Sequence, residues 1–247
     1  MDRLLGLKIC ETAIERQAQM ASKKTALVTG VSRGIGRAIA LQLLAEGFHV
    51  VGTYNTNKPE AEKLKEEFAQ LDLLKCDLSK RGETLALIEG LSNRTIDCLV
   101  NNAAIFCTED MAAFDAEIWD KTIEVNLTAP LLLATKLMPA MPSGSTIVNI
   151  SSTDSFTGSF NSIAYAASKA ALNSLTKSLA NIGGARNIRV VGIAPGWINN
   201  TGMNSPVSLQ AAPLSSLQRN GEPIDKMSDH KNCFPVAIKS NAKYLCI

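Results

Sequence analysis

Short, almost uninterrupted aliphatic runs alternate along this chain with longer stretches in which apolar residues recur at helical spacing. The aliphatic runs have the length of strands and are rich in β-branched residues, so they predict strands that are buried on both faces. Six of them are clear, and they cover residues 25–29, 49–54, 71–76, 96–101, 146–150 and 188–193. The intervening stretches predict helices over residues 35–46, 59–70, 81–91, 115–137 and 162–182. This alternation is typical of a parallel sheet with helices on both faces.

The length of the chain favours a single domain. With 247 residues, of which 46% are hydrophobic and 19% are charged, the chain can bury one sizeable core and is short for two domains. Right-handed crossovers between parallel strands then predict a doubly wound α/β fold. Ligands bind to such a fold outside the carboxyl ends of the strands, so we expect the functional residues to lie there.

The two ends of the chain follow this pattern less well. Residues 20–25 look like a natural start just ahead of the first strand, so residues 1–20 are interpreted as an N-terminal extension. After Gly196 the chain is rich in Ser, Asn, Pro and Lys, and no strong periodicity returns. A doubtful seventh strand could form at residues 236–238 or at 244–247. Without it, the sixth strand would be an exposed edge that favours aggregation.

Charge and cysteine content exclude several classes of protein. A formal net charge of +2 gives no concentrated basic surface, which argues against nucleic-acid binding. No apolar run approaches the length of a membrane span, and the N-terminus does not resemble a secretory signal. The six cysteines form no C-x-x-C pair, and neither His49 nor His230 belongs to a cluster of metal ligands. We therefore predict a cytoplasmic protein with reduced cysteines, no metal site and no membrane partner.

Three glycines stand between the first predicted strand and the first predicted helix. Gly30, Gly34 and Gly36 have the spacing G-x-x-x-G-x-G. Glycines at this place permit a tight turn and let backbone amides approach a pyrophosphate at the positive end of the helix. A glycine triplet by itself can also be accidental or purely structural, but its position between strand and helix favours a dinucleotide site.

A tyrosine and a lysine are spaced by one helical turn in the last predicted helix, at Tyr165 and Lys169. The ammonium group can lie beside the phenol and lower its pKa from about 10 by about 1–3 units, toward the range of a general acid at neutral pH. Such a pair is also common as a surface contact worth only about 0.2–0.5 kcal/mol. Ser151 and Ser152 follow the fifth strand, and only one of them can face the ligand crevice because side chains alternate along a strand.

Taken together and in this order, these motifs resemble the short-chain dehydrogenase/reductase family, and in general patterning its 3-oxoacyl-acyl-carrier-protein reductases. The resemblance extends from residue 25 to residue 197. It implies a Rossmann-like fold and an oxidoreductase that transfers a hydride between NADP(H) and a carbonyl or alcohol substrate. The substrate itself cannot be identified, because selectivity in the family depends mainly on the region after Gly196.

The resemblance implies catalytic roles for four residues. Ser152, at the family's distance before the tyrosine, would hydrogen-bond the substrate oxygen, and Tyr165 would give or take its proton. Lys169 would lower the phenol pKa and hold the ribose hydroxyls of the cofactor. Asn126 matches the family's helix asparagine, which positions a water in the proton relay. Taken singly, Ser152 and Asn126 would be an ordinary strand-end hydroxyl and a helix defect.

The same resemblance implies a set of cofactor-binding residues. Asp77 follows the third strand, where the family's acid meets the adenine amino group, although an acid there can also cap a turn. Asn102 belongs to an N-N-A-A stretch that resembles the family's N-N-A-G but is also compatible with a plain turn. The implied set is Gly30, Ser32, Arg33, Gly34, Ile35, Gly36, Asn55, Asp77, Leu78, Asn102, Ala103, Tyr165, Lys169, Pro195, Gly196 and Ile198.

Charge near the adenosine ribose decides between the two nicotinamide cofactors, because a 2′-phosphate needs a cation and a free 2′-hydroxyl prefers an acid. No acid follows the second strand, and Arg33 resembles the phosphate-pairing arginine of NADP-preferring members. We therefore predict NADP(H) over NAD(H). Asn55 stands where many such enzymes carry a second arginine, so the preference is expected to be modest.

The predicted organisation is an extension at 1–20, a dinucleotide-binding catalytic domain at 21–200 and an atypical C-terminal segment at 201–247, truncated or altered relative to the family. The predicted partners are a small-molecule carbonyl or alcohol substrate and, if the C-terminus permits, further copies of the chain in a dimer or tetramer. One alternative stays open. The abnormal C-terminal segment would also suit a catalytically impaired NADP(H)-binding protein with a sensor or subunit role.

Overall fold

A computed structural model describes residues 24–109, 111–196, 198 and 243–245. The described strands form one sheet. They are β1 (Thr25–Val28), β2 (His49–Tyr54), β3 (Leu71–Lys75), β4 (Cys98–Asn101), β5 (Thr146–Ile150), β6 (Arg189–Ala194) and β7 (Lys243–Leu245). Their order across the sheet is β3-β2-β1-β4-β5-β6-β7. The reversal of strand order beside β1 makes the fold doubly wound, with its ligand crevice expected at that point.

The first six strands run parallel, and each predicted strand lies within two residues of the observed one. In the centre of the sheet, Leu27 of β1 is opposite Val51 of β2 and Leu99 of β4. β7 pairs antiparallel with β6, with Ile193 opposite Tyr244. The later of the two suggested seventh strands therefore forms, shifted toward Lys243, and it covers the edge of β6. Residues 236–238 and 1–20, and most of the predicted segment 201–247, lie outside the described residues.

The helices connect the parallel strands in the predicted places. They are α1 (Gly34–Ala45), α2 (Lys58–Glu67), α3 (Arg81–Gly90), α4 (Ala116–Ile123), α5 (Ala129–Leu137), α6 (Asp154–Thr157) and α7 (Ile163–Gly184). Short 3-10 turns cover Met111–Ala113 and Met138–Ala140. The four-residue helix α6 was not anticipated. No helix of the described part of the chain is long and apolar enough to cross a membrane.

The single helix predicted over residues 115–137 is divided in the structure. Between α4 and α5, the segment Glu124–Thr128 is π-helical. This widened turn carries Asn126, whose fully buried side chain bonds the backbone of Ile105. Hydrophobic periodicity does not distinguish a π segment inside a helix from the α-helix around it, which explains why the sequence predicted one helix.

Helices cover both faces of the sheet, and a separate core lies under each face. On one face, Leu27, Leu99 and Ile147 of the strands pack with Leu133 of α5 and Leu179 of α7. Each of these side chains is at most 1% exposed, and burying one contributes about 1.5–3 kcal/mol.

On the other face, Val28 and Val50 of the strands pack with Leu43 of α1 and Leu64 of α2. Because successive residues of a strand enter opposite cores, the strands read as continuous apolar runs. This confirms the predicted doubly wound α/β fold.

A buried polar chain ties the carboxyl ends of β4 and β5 to α7. The Asn101 amide donates to Asn149 Oδ1 at 2.8 Å, and the Asn149 amide donates to Thr176 Oγ1 at 2.9 Å. Thr176 donates in turn to the Leu172 carbonyl inside α7. Buried polar groups of this kind fix a single packing arrangement, because a slipped register would leave them without partners. The ends of the two strands are thereby held against the helix that carries Tyr165.

Candidate active site

A cavity of about 330 Å³ opens at the carboxyl ends of the parallel strands. It is lined by the loops that follow β1, β2, β3, β4, β5 and β6, together with the start of α7. Every residue of the implied cofactor set lines it, and so do Ser152, Tyr165 and Lys169. Asn126 does not. The fold therefore brings nearly all of the candidate residues into one space.

The glycine loop is folded tightly against the start of α1. Gly30 and Gly34 have φ angles of +76° and +57°, in the left-handed region that glycine adopts without strain. A Cβ atom on Gly36 would lie 2.1 Å from the Gly30 carbonyl oxygen and 2.3 Å from Asn102 Nδ2. The backbone can approach this closely only because Gly36 lacks a side chain, and the first amides of α1 are left facing the cavity.

Thr29 and Asn102 fasten the glycine loop to the end of β4. The Asn102 amide donates to the carbonyl oxygens of Thr29 at 2.8 Å and Gly30 at 3.1 Å. The Thr29 hydroxyl accepts from the backbone N–H groups of Asn102 and Ala103, both at 3.0 Å. The Asn102 side chain is therefore occupied in shaping the loop. The sequence analysis did not assign a role to Thr29. A polar residue at the end of a buried apolar strand, just before the glycine loop, is the feature that could have indicated it.

Asp77 lies at the end of the cavity formed by the loop after β3. Its Oδ1 accepts from the backbone N–H of Ser79 at 3.1 Å and from the Ser79 hydroxyl at 2.7 Å. Burial acts to raise the pKa of the Asp77 carboxyl, but the bonds from Ser79 and the nearby lysine charges outweigh it and lower the pKa. Asp77 thus caps a turn, as the simpler interpretation expected, and it also lines the cavity.

Tyr165, Lys169 and Ser152 meet at the other end of the cavity. The Lys169 Nζ lies 5.6 Å from the centroid of the Tyr165 ring and donates to the Ile150 carbonyl at 2.7 Å. Ser152 lies close enough to the Tyr165 phenol to act against the rise of its pKa, and its Oγ accepts the backbone N–H of Asp154 at 3.2 Å. That N–H occupies a lone pair of the Ser152 oxygen, so the single Ser152 proton can be donated either to the phenol oxygen or, in its place, to a bound ligand.

The two consecutive serines have different partners. Both are buried and both line the cavity, but the Ser151 hydroxyl donates to the Lys169 carbonyl at 3.2 Å. Ser152 reaches the phenol instead. Since alternate side chains leave opposite sides of an extended backbone, the geometry favours Ser152 as the hydroxyl that faces a ligand.

Burial dominates the electrostatics of Tyr165 and Lys169. It raises the pKa of Tyr165 to about 12, against the hydrogen bond from Ser152, and the charge of Asp154 raises it further. Burial also lowers the pKa of Lys169 to about 7. Lys169 is not among the groups that shift the phenol pKa here, so the expectation that its charge lowers this pKa stays a prediction. The site that shields the phenol also removes much of the positive charge of the lysine at neutral pH.

Asn126 acts on the walls of the cavity. Its Oδ1 accepts from the Ile105 N–H at 2.9 Å, and its Nδ2 donates to the Ile105 carbonyl at 3.0 Å and to Ser168 Oγ at 3.1 Å. The Ser168 hydroxyl donates to the Tyr165 carbonyl at 2.7 Å. The Asn126 side chain is fully used in these contacts, so it positions the loop after β4 against α7.

Several residues of the site were not anticipated from the sequence. The Phe106 ring meets the Tyr165 ring edge-on, with 5.1 Å between centroids. The Glu109 carboxylate accepts the N–H groups of Ile163 at 2.5 Å and Ala164 at 3.2 Å, which caps α7 from 54 residues away. Nothing in the local sequence signals such a distant cap. The other unanticipated lining residues include Thr53, Tyr54, Ser79, Lys121 and Asp154.

Within the described part of the chain, no group of three His, Cys, Asp or Glu side chains is placed to hold a metal ion. His49 Nε2 lies 3.0 Å from Asp72 Oδ2 and links β2 to β3. His230 lies outside the described residues.

Comparison with known proteins supports the same family. The model of the short chain dehydrogenase family matches residues 24–212. The 3-oxoacyl-acyl-carrier-protein reductase FabG of Staphylococcus aureus (strain N315) is 35% identical over 187 residues, which cover 72% of this chain and 76% of that protein.

Two solved structures share the fold. A blue fluorescent protein from a metagenomic library, in complex with NADPH, has a TM-score of 0.77 and 32% identity over 82% of this chain and 86% of that one. A short chain dehydrogenase from Burkholderia cenocepacia J2315, in complex with NADP, has a TM-score of 0.76 and 28% identity over 81% and 85%.

The close approach at Gly36 predicts a sharp difference between two glycine substitutions. Gly36→Ala should reduce the free energy of unfolding by about 1–3 kcal/mol and weaken dinucleotide binding, since the added carbon meets backbone rather than a flexible side chain. The control is Gly82→Ala in α3, where a Cβ meets nothing within 4 Å, so stability should be unchanged or slightly increased. Denaturant unfolding and NADPH fluorescence titration measure both effects. Unchanged unfolding and binding in Gly36→Ala would contradict the geometry.

The buried Lys169 predicts a dependence of stability on pH. Between its folded pKa of about 7 and its unfolded value of 10.5, the unfolded state binds a proton that the folded state does not. The free energy of unfolding therefore gains about 1 kcal/mol from this group for each pH unit across that window. Lys169→Met removes this contribution, so the wild type should gain stability relative to the variant as the pH rises from 7 to 10. Parallel stability curves would show that Lys169 is not titrating in this way.

Proposed function

This chain belongs to the short-chain dehydrogenase/reductase family, and we propose that it is an NADP(H)-dependent oxidoreductase that interconverts a carbonyl and an alcohol with Tyr165 as general acid and base. The observation that carries the proposal is the meeting of the Tyr165 and Ser152 hydroxyls in the cavity that also contains the glycine loop. Reduction of a carbonyl by a nicotinamide cofactor requires hydrogen-bond donors to the carbonyl oxygen and a dinucleotide site next to them, and this cavity contains residues suited to both.

The residues at one end of the cavity fit a nicotinamide dinucleotide. The approach at Gly36 leaves room for no side chain, and the first amides of α1 can bind a pyrophosphate there. Asp77 and Leu78 would border the adenine, and Pro195, Gly196 and Ile198 would border the nicotinamide. When bound, the cofactor supplies or accepts the hydride.

A preference for NADP(H) is supported by the charge beside the loop after β2. Arg33 is exposed, lines the cavity and forms no ion pair among the described residues. Residues 53–57 contain no acid that would repel a phosphate. A guanidinium group binds phosphate with paired hydrogen bonds, so Arg33 is the proposed partner of the 2′-phosphate. Asn55 adds no charge, which limits the preference.

The proton chemistry of the proposal follows from the burial of the phenol. With its pKa raised to about 12, Tyr165 stays protonated at neutral pH and can donate to the oxygen that becomes negative as hydride reaches the carbonyl carbon. Ser152 donates to the same oxygen. Donors aimed at a developing oxyanion lower the barrier by roughly 3–4 kcal/mol each where such effects have been measured. In the reverse oxidation the same group would act as the base and accept the proton of the alcohol.

Lys169 supports the reaction from a protected position. Its bond to the Ile150 carbonyl holds the Nζ beside the phenol ring, where it can also reach the ribose hydroxyls of a bound cofactor. A pKa of about 7 lets the amine take up or release a proton near neutral pH. We propose that it passes protons to and from Tyr165 between turnovers. Assembly into a homodimer or homotetramer stays a prediction.

The catalytic roles predict different outcomes for two neighbouring serines. Tyr165→Phe should abolish carbonyl-dependent NADPH oxidation, and Ser152→Ala should lower kcat by about 100- to 1,000-fold, because each loses a donor to the substrate oxygen. Ser151→Ala is the matched control and should retain most activity, since its hydroxyl bonds the Lys169 carbonyl. Absorbance at 340 nm against a panel of aldehydes and ketones measures the rates.

Two results would contradict this assignment. Equal losses in the two serine variants would make the effect structural, and full activity in Tyr165→Phe would exclude it as the acid. A wild type that binds NADPH but oxidises it with no carbonyl compound would instead favour the alternative of a catalytically impaired binding protein.

The cofactor assignment predicts a selective loss of affinity in Arg33→Ala. The Kd for NADPH should rise about 10- to 100-fold, because hydrogen bonds to charged groups contribute about 1.5–3 kcal/mol. The Kd for NADH should stay nearly constant, and this serves as the internal control. Fluorescence titration with both cofactors measures the ratio. A similar rise for both cofactors would place Arg33 outside the 2′-phosphate site.

A further inference from the structure

Asp154 brings a carboxylate to the catalytic end of the cavity. It is the first residue of α6, it lines the cavity, and its backbone N–H donates to Ser152 Oγ at 3.2 Å. The same serine lines the cavity beside the Tyr165 phenol, whose pKa it acts to lower. Asp154 is therefore attached directly to the pair of hydroxyls that would hold a substrate oxygen.

The Asp154 carboxylate has no protein partner in the described part of the chain. Its backbone groups are both engaged, because the N–H bonds Ser152 and the carbonyl accepts the N–H of Gly158 at 2.9 Å. Its side chain makes no hydrogen bond and no ion pair with described residues, although it is partly buried. The nearby Lys169 Nζ bonds Ile150. A partly buried carboxylate without partners loses hydration and gains nothing in return, which is uncommon in a folded protein.

The burial of this acid has an electrostatic consequence for its surroundings. Loss of hydration raises the pKa of the Asp154 carboxyl, and no neighbouring charge is present to lower it. The Asp154 charge also acts on the Tyr165 phenol and disfavours its ionisation. Asp154 lines the same cavity as Tyr165 and Ser152, and its backbone bonds Ser152, so its carboxylate borders the space in which these two residues would hold a substrate.

We propose that Asp154 selects substrates that carry a hydrogen-bond donor, a hydroxyl or an ammonium group, on the carbon next to the reacting carbonyl. This inference rests on the proposed reductase function and gives it a substrate class. A carboxylate accepts hydrogen bonds and donates none, so it binds substrates that present O–H or N–H groups to it. It also repels a carboxylate or phosphate at the same place in the substrate. Hydroxy ketones and amino ketones fit, whereas keto acids with the acid beside the carbonyl do not.

The position of the donor follows from the chain geometry. Ser152 marks the substrate oxygen, since a donated hydrogen bond brings the two oxygens to within about 3 Å. Asp154 follows two residues later and folds back so that its own N–H reaches Ser152. Its side chain therefore leaves the backbone next to the substrate oxygen. Because Asp154 also lines the cavity, a donor on the adjacent carbon would lie on the side of its carboxylate.

The test compares ketones that differ only in this donor. Hydroxyacetone is matched with butanone, and α-hydroxyacetophenone is matched with propiophenone. Two further substrates carry a charge at the carbon next to the carbonyl: an ammonium group in aminoacetone and a carboxylate in pyruvate. The ratio of kcat/KM for each matched pair is measured in the wild type, Asp154→Asn and Asp154→Val. Comparing ratios between proteins cancels the intrinsic reactivity of each ketone. Glu89→Val, an exposed acid of α3 outside the cavity, controls for loss of a negative charge.

In Asp154→Val, the preference for the hydroxylated ketone should fall about 10- to 100-fold, as expected for a lost hydrogen bond to a charged group. Asp154→Asn keeps the shape of the side chain and an acceptor oxygen but loses the charge. Its kcat/KM should therefore fall less for the hydroxy ketones than for aminoacetone. Its rate with pyruvate should rise. Unchanged ratios in both Asp154 variants would overturn the proposal.

A binding experiment separates this inference from the proposed function. Tyr165→Phe loaded with NADPH is titrated with the same ketone pairs, with and without Asp154→Val, and quenching of the NADPH fluorescence gives each Kd. A preference for the hydroxylated ketone that Asp154→Val removes supports the inference even if the wild type shows no turnover. Turnover without such a preference would retain the reductase and reject the role of Asp154. Absence of ketone binding in both proteins also rejects it.

Discussion

The architecture of the site depends on a hydrogen-bonded path that starts where β1 and β4 end side by side. Thr29 and Asn102 join the glycine loop to the segment after β4. Three residues along, Ile105 is held on both of its backbone groups by Asn126, and Asn126 reaches Tyr165 through Ser168. The cofactor loop and the catalytic helix are therefore parts of one bonded structure. Because each bond is buried or partly buried, breaking any one leaves a polar group without a partner, which costs about 1–3 kcal/mol.

Burial then sets the chemistry that this framework supports. The environment that encloses Tyr165 disfavours its phenolate, and it disfavours the ammonium form of Lys169 for the same reason. A lysine beside a tyrosine lowers the phenol pKa only while the lysine is charged, so the two groups cannot be treated as a simple ion pair. The site holds a neutral acid next to an amine that titrates near neutral pH. That combination would suit the proposed proton donation, and Ser152 is the neighbour that acts to lower the phenol pKa.

The parts of this structure that sequence reasoning predicted are those encoded locally. Continuous apolar runs gave the six parallel strands, because burial on both faces removes polar residues from a strand. The glycine motif and the one-turn spacing of Tyr165 and Lys169 each span only a few residues, so they can also be recognised from the local sequence. A functional role for Asn126 stays a prediction, whereas its bonds to Ile105 and the π segment around it depend on tertiary packing. The cap from Glu109 on α7, the unpartnered carboxylate of Asp154 and the direction of the Tyr165 pKa shift depend on groups brought together only by the fold.

Opposite charges at the two ends of the cavity connect these observations. Arg33 is an exposed cation without an ion pair in the described chain, and Asp154 is a partly buried anion in the same condition. In the proposed function, Arg33 would attract a phosphate group and Asp154 would repel one, so this pair of charges would help to orient the cofactor, alongside Asp77, Lys121 and Lys169 in the same cavity. The acidic end is thereby kept clear for an uncharged or donor-bearing group beside Ser152 and Tyr165. Under the proposed function, this charge pattern would separate a phosphate-binding half from a catalytic half in a single cavity of about 330 Å³.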